Sequence, residues 1–217
     1  ILDVAKQKGT GRWTSMSALA LGVPAPTITE AVFARTMSSQ KEERLVLSKR
    51  YRDLAFEGTE VDRLAVLEDL RQALYASKIC AYAQGFNLLE EAGKVYGWDL
   101  QMGRIAKIWR SGCIIRARFL DTVSEIFEKE NGMTNLLASG YFSQVLYGAR
   151  AGWGRIISLA VERGAAVPAL SSALAYFDSY RTARGSANLL QAQRDCFGAH
   201  TYERIDKEGA FHTDWMN

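Results

Sequence analysis

Three short segments of this 217-residue sequence combine residue types at spacings suited to holding an anion. The first is Lys8-Gly9-Thr10-Gly11-Arg12-Trp13-Thr14. Two glycines one residue apart let the backbone turn so that N–H groups converge on an anion. Thr10 and Lys8 add a hydroxyl and an ammonium, and the start of a following helix adds its partial positive charge. The same spacing also suits a loop that only caps two helices. It is not a dinucleotide fingerprint, since the third glycine position holds Thr14 and the preceding residues read as helical, not as a strand. The second segment is Arg35, inside the otherwise uncharged stretch 31–39. Burying an unpaired guanidinium there would be costly, and a ligand anion would supply its partner. A snorkelling or salt-bridged arginine is the plainer alternative. The third is Gln191-Ala192-Gln193-Arg194-Asp195-Cys196-Phe197-Gly198-Ala199-His200, where Arg194 and His200 flank the glycine that ends a helix. Arginine suits bidentate recognition of phosphate or carboxylate, and a histidine beyond a turn can reach the same ligand from another side. A surface arginine and a turn histidine are also common without any function.

What the sequence lacks narrows the chemistry. His200 and His212 form no ligand pattern with the scattered cysteines, and no metal is assigned. No Gly-x-Ser-x-Gly elbow supports a serine hydrolase. Cys80, Cys113 and Cys196 are odd in number and more than 30 residues apart, which fits neither a disulfide framework nor paired zinc ligands. Each has apolar neighbours, so buried packing in a reducing cytoplasm is expected. The net charge is only +3, from 27 Lys and Arg against 24 Asp and Glu, which leaves no footprint for nucleic acid or a membrane surface. With no basic groove, Trp109, Trp153, Tyr176, Phe177 and Tyr180 read as core and not as a stacking platform. Charges interrupt every apolar run before the ~20 residues a membrane span needs, so a soluble protein is expected.

The candidate groups must be positioned by helices. Apolar residues recur at helical spacing almost everywhere, with no sustained strand alternation. The clearest helix covers residues 62–96, with Leu64, Leu67, Leu70, Leu74, Tyr75, Ile79, Tyr82, Phe86, Leu89 and Val95 in steps of three and four and Gly97 as C-cap. Few polar positions fall in 73–83, so its middle is expected to be covered on most sides, as the spine of the domain. A second long helix is expected over 26–51, opened by Pro26 and Thr27. Further helices are expected near 14–21, 102–109, 114–130, 141–163, 169–180 and 188–196. Residues 1–8 read as the last turns of a helix already under way, and a first residue that is Ile reads as a cut. A repeat is visible: Trp13, Leu19 and Ala20 recur 140 positions on as Trp153, Leu159 and Ala160, and Val23-Pro24-Ala25 recurs as Val167-Pro168-Ala169. Val-Pro both stops one helix and opens the next. The fold class is therefore all-α, a multi-helix bundle with an internal helical repeat over 1–180. Residues 181–217, which carry both histidines and three helix-interrupting glycines, form a C-terminal arm suited to docking.

At these three segments the sequence resembles the 6-phosphogluconate dehydrogenases, the decarboxylating enzymes of the oxidative pentose phosphate pathway. The blocks that carry the resemblance run in order through the whole chain. They are Gln7 to Thr14, Gly22-Val23-Pro24, Glu30 to Arg35, Arg71 to Ile79, Tyr82-Ala83-Gln84-Gly85-Phe86, Trp109 to Arg116 and Asn188 to Tyr202. Arg12 and Cys196 stand where the family usually has lysine and often has tyrosine. The resemblance implies a homodimer whose subunit has an N-terminal Rossmann domain, a large all-α domain with a helical duplication, and an arm that penetrates the partner. Residues 1–180 would be the latter part of the substrate-binding and dimerisation domain, and 181–217 the arm. It further implies that Lys8 and Thr10 lie near the substrate's 6-phosphate, that Arg35 binds that phosphate, and that Arg194 and His200 are contributed to the partner's site. NADP would be bound mainly by the Rossmann domain, which is absent from this chain, as are the catalytic lysine and glutamate; no residue here is assigned a catalytic role. The implied reaction oxidises 6-phosphogluconate, releases CO2 and yields ribulose 5-phosphate without a metal. The preference for NADP over NAD stays open. The alternative is a stand-alone helical dimerisation module that keeps a phosphosugar pocket without catalysis.

Overall fold

A computed structural model of the chain describes residues 1–54, 56, 58, 60–130, 133 and 135–216. Among these residues the elements are α1 (Thr10–Ala20), α2 (Pro26–Ser39), α3 (Lys41–Arg50), α4 (Arg63–Tyr96), α5 (Met102–Arg110), α6 (Leu120–Lys129), a 3-10 turn (Leu136–Ala138), α7 (Gly140–Glu162), α8 (Pro168–Tyr180) and α9 (Ala187–Gly198). A short hairpin of β1 (Tyr202–Glu203) and β2 (Ala210–Phe211) follows. The chain divides into two compact units, Ile1–Phe177 and Asp178–Asn217. The fold is all-α, and no helix of the described residues is long and apolar enough to cross a membrane.

In the first unit, α4 is the axis. Asp62 caps its start by accepting a hydrogen bond from the Leu64 N–H (2.9 Å), and Gly97 ends it at φ 68°. Its 34 residues extend about 50 Å. Between residues 73 and 83 only Leu74 and Lys78 are exposed. Trp153, Phe142 and Leu146 of α7 are fully buried in the same core as Ala73, Ala76 and Ile79 of α4. Asp69 of α4 accepts a two-pronged bond from Arg155 of α7 (2.6 and 2.7 Å). The α5–α6 hairpin supplies Trp109 and Phe127 to the rings of Tyr82 and Phe86. Cys80 lies fully buried in this core, and burial pushes its thiol pKa up to about 12.

Several local expectations are corrected. The single helix over 26–51 is two helices that break at Gln40. Thr36, Ser38 and Ser39 turn their hydroxyls back onto the carbonyls of Val32, Arg35 and Thr36, and this competes with the backbone ladder. The helix expected from 114 starts at Leu120, because the Tyr82 hydroxyl donates to the Ile115 carbonyl and holds that segment as a turn. Residues 1–8 are not helical, and the Ala5 N–H is taken by Ser38 Oγ of α2 instead of a carbonyl of its own segment. They are held instead by Asp3, which pairs with Lys41 (2.6 Å) and Arg44 (2.5 Å). Leu64, Leu67 and Leu74 are 76%, 51% and 61% exposed on one face of α4, and Leu74 lies within the stretch expected to be covered. Cys196 is exposed and Cys113 only half-buried, against the expected burial of both. The arm's last residue, Asn217, lies outside the described residues.

The two copies of the sequence repeat end their first helices alike. Gly22 (φ 68°) and Gly164 (φ 61°) follow α1 and α7, and the next residue's N–H reaches back to Ala18 O (2.9 Å) and Ala160 O (2.8 Å). The tryptophans of the two copies differ: Trp153 is fully buried and donates to Leu170 O (3.2 Å), whereas Trp13 is 60% exposed. Trp153→Ala should therefore lower the unfolding free energy by about 3–5 kcal/mol. Trp13→Ala should lower it by less than about 1 kcal/mol. Urea denaturation of the two variants checks this, and equal losses would contradict the packing described.

Candidate anion-binding site

Lys8, Thr10 and Arg35 lie at the same end of the α1–α2 hairpin. The register follows from three contacts. The Thr29 hydroxyl of α2 donates to Ser15 Oγ of α1 (3.1 Å). Gly11 stands against Val32, so closely that a Cβ at Gly11 would lie 2.9 Å from Val32 Cγ2. The Ala5 N–H donates to Ser38 Oγ (2.9 Å). Contacts 11 to 32 and 5 to 38 bracket Lys8 and Arg35, so the antiparallel run sets these two cations level with each other and with the start of α1. The second glycine thus serves the close approach of two helices. The expected cradle is corrected accordingly: α1 begins at Thr10, four residues earlier than the sequence suggested, and Gly9 is its N-cap at φ 99°. The first helical bond runs from Trp13 N–H to Gly9 O (3.0 Å), which leaves the N–H groups of Thr10, Gly11 and Arg12 without helical partners.

This end of the hairpin is open. Lys8, Thr10 and Arg35 are all exposed, so Arg35 carries none of the burial cost that its uncharged surroundings suggested. Two cations, a hydroxyl and a helix N-terminus at one end of a hairpin form an arrangement that attracts a phosphate or carboxylate. The hairpin is seated on α4 by Gln84, which is fully buried. Gln84 Oε1 accepts from the Thr27 N–H (3.1 Å) and its Nε2 donates to Thr27 Oγ1 (2.9 Å), capping the start of α2 from outside. Beside the hairpin, a cavity of about 410 Å³ is lined by Thr14, Ile28, Tyr82, Leu88, Trp109 and Ile115; without a cation in its wall it does not suit an anion.

Arg194 and His200 lie in the second unit, one on α9 and one in the turn after it. Ala199 and Thr201 on either side of His200 are left-handed, at φ 51° and 60°. Non-glycine residues there cost about 1–3 kcal/mol each, and persist only where neighbours over-determine them. Asp195 supplies the constraint. Its carboxylate, fully buried, accepts from the N–H groups of Thr201 (2.9 Å) and Thr213 (3.1 Å) and from Trp215 Nε1 (2.9 Å), and it meets His212 Nδ1 at 2.9 Å. His212 is thereby engaged within the unit. Among the described residues no three metal-ligating side chains cluster. Sequence reasoning missed Asp195 and Gln84. The available signal for Asp195 was an acid on a helix leading into a segment with His212 and Trp215.

Burial works to raise the Asp195 carboxyl pKa, but the bonds from His212, Trp215, Thr213 and Thr201 outweigh it and hold the pKa well below its ordinary 3.8. A carboxyl depressed in the folded state contributes stability that is fully present above the ordinary value. That stability is lost as pH falls from there through the folded value. The Thr201 and Thr213 amide resonances and the Trp215 indole resonance should therefore shift together as pH falls below about 3.8. In Asp195→Asn they should be displaced at neutral pH. Unmoved resonances in that variant would refute the anchoring role.

The family model of the 6-phosphogluconate dehydrogenase C-terminal domain matches residues 1–215. An NADP(+)-dependent, decarboxylating 6-phosphogluconate dehydrogenase from Bacillus subtilis is 54% identical over 216 residues, covering 100% of this chain and 46% of the relative. An NAD(+)-dependent, decarboxylating one from the same organism is 48% identical, over 99% of this chain and 46% of its own length. The Plasmodium falciparum 6-phosphogluconate dehydrogenase, solved in its apo form and in complex with NADP+ and with 6-phosphogluconate, superposes with a TM-score of 0.92 at 39% identity. It covers 99% of this chain and 46% of its own. The chain thus spans about half the length of these relatives. It belongs to the 6-phosphogluconate dehydrogenase family and corresponds to that family's C-terminal domain.

Proposed function

We propose that this chain is the substrate-holding and dimerising portion of an enzyme that converts 6-phosphogluconate to ribulose 5-phosphate and CO2 with reduction of NADP, in the pentose phosphate pathway. The observation that carries the proposal is the alignment of Lys8, Thr10 and Arg35 at the open start of α1, in a chain of this family. A sugar 6-phosphate is a dianion near neutral pH. Lys8 and the free N–H groups of α1 meet its charge, the Thr10 hydroxyl donates to it, and the Arg35 guanidinium can grip two of its oxygens at once. Holding the phosphate end fixes where the sugar chain lies, so binding energy remote from the reacting carbon orients that carbon.

Arg194 and His200 complete the same site from the partner subunit of a homodimer, to which the arm is contributed. Dimerisation is supported by the exposed apolar face of Leu64, Leu67 and Leu74 on α4, which a monomer would leave in water. The described residues do not fit a dinucleotide. No strand leads into Gly9-Thr10-Gly11, and Gly11 is taken up by packing on Val32. NADP is therefore assigned to the portion of the enzyme outside this chain, together with the proton-transferring groups. Relatives named for either nucleotide match the chain, in keeping with that division. The cytoplasm is the proposed compartment, in keeping with three free cysteines.

In the full-length enzyme, Arg35→Ala and, separately, Arg194→Ala should each weaken 6-phosphogluconate binding about 10- to 100-fold, the loss of one charge-assisted contact. Titration calorimetry with the substrate measures it. Unchanged affinity in both variants would overturn the assignment.

A further inference from the structure

Arg194 and His200 are both exposed, so burial does not fix either one. What joins them is the half-buried Gln191, one turn earlier on α9. Its carboxamide is divided between two partners: Oε1 accepts from Arg194 Nη1 at 3.0 Å, and Nε2 donates to the Thr201 carbonyl at 2.5 Å. Thr201 directly follows His200, and its N–H is already held by Asp195. Both backbone polar groups of that residue are therefore tied back to α9, the carbonyl by Gln191 and the N–H by Asp195. The amide has one workable orientation, because turning it over would set NH2 against guanidinium and carbonyl against carbonyl. Being neutral, it orients Arg194 while occupying one of five N–H donors and none of its charge.

We propose that Gln191 is a positioning residue that sets the Arg194 guanidinium and the His200 ring at a fixed spacing for one anionic ligand. This rests on the reading that Arg194 and His200 hold 6-phosphogluconate. A glutamate at this position would pair with Arg194 and compete with the ligand's anion, and it would face the Thr201 carbonyl with no donor. Methionine would free both partners without adding charge.

The test uses the full-length enzyme with Gln191→Met and Gln191→Glu, beside Arg194→Ala and His200→Ala. For Gln191→Met, the KM for 6-phosphogluconate should rise about tenfold, with a smaller change in kcat and none in the KM for the nucleotide. Gln191→Glu should weaken substrate affinity at least as much, although its new ion pair keeps the melting midpoint at or above that of Gln191→Met. A purely structural role would make affinity follow the melting midpoint, so tighter binding by Gln191→Glu than by Gln191→Met overturns the proposal. So does wild-type affinity in both, when Arg194→Ala and His200→Ala have lost theirs. Wild-type affinity in the two alanine variants overturns the reading of the site instead. If Gln191→Met does not fold, Gln191→Glu decides alone; if neither folds, Gln191 belongs to the fold and the proposal fails.

Discussion

A helix that is apolar around most of its circumference cannot stand in water, and the first unit is organised by the need to cover α4 between residues 73 and 83. Ala73, Ala76, Ile79, Cys80 and Ala83 are all fully buried along one stripe, and Ser77 and Tyr82 on either side of it are buried too, so the covered surface takes up more than half of the helix's circumference. One neighbouring helix cannot shield such a surface. The α7 helix takes part of it, and the α5–α6 hairpin brings Trp109 and Phe127 against the rings of Tyr82 and Phe86. The small residues let these neighbours approach closely, and large side chains such as Trp153 and Phe142 are fully buried against them.

Against that apolar surface, one polar residue locates the α1–α2 hairpin. A buried amide is costly unless its groups are paired, so Gln84 accepts only a neighbour that presents both a donor and an acceptor at the right spacing. The Thr27 N–H and hydroxyl at the start of α2 meet that demand. Apolar packing tolerates small slides; this pair does not. The far end of the hairpin, where Lys8 and Arg35 lie, inherits its position from a contact two to three turns away.

Much of this was legible in the sequence where the signal is local. Asp62 and Gly97 bound α4 as their types require, and the two Val-Pro-Ala turns separate helices in both copies of the repeat. The misses are tertiary. Leu64, Leu67 and Leu74 keep perfect helical spacing yet face outward, because periodicity reports that a face is apolar and not which neighbour covers it. The break at Gln40 depends on hydroxyls choosing carbonyls over water, which residue type alone leaves undecided. In the candidate site, the residues that carry charge stood out by type. Those that place them, Gln84, Gln191 and Asp195, did not, since a buried amide or acid looks like any surface one until its partners are known.

The openness of the α1 end has a consequence for how strongly it can hold a ligand. Two unit charges 4 Å apart gain about 1 kcal/mol in bulk water, but about 4 kcal/mol where the effective dielectric is about 20. Lys8 and Arg35 stand in the first regime. A surface that closes over them need contribute no contact of its own to strengthen their grip, because excluding water already does so. The tightness of such a site would then be a property of what covers it more than of composition, and the open end of the hairpin by itself, with Lys8 and Arg35 intact, would hold an anion only loosely.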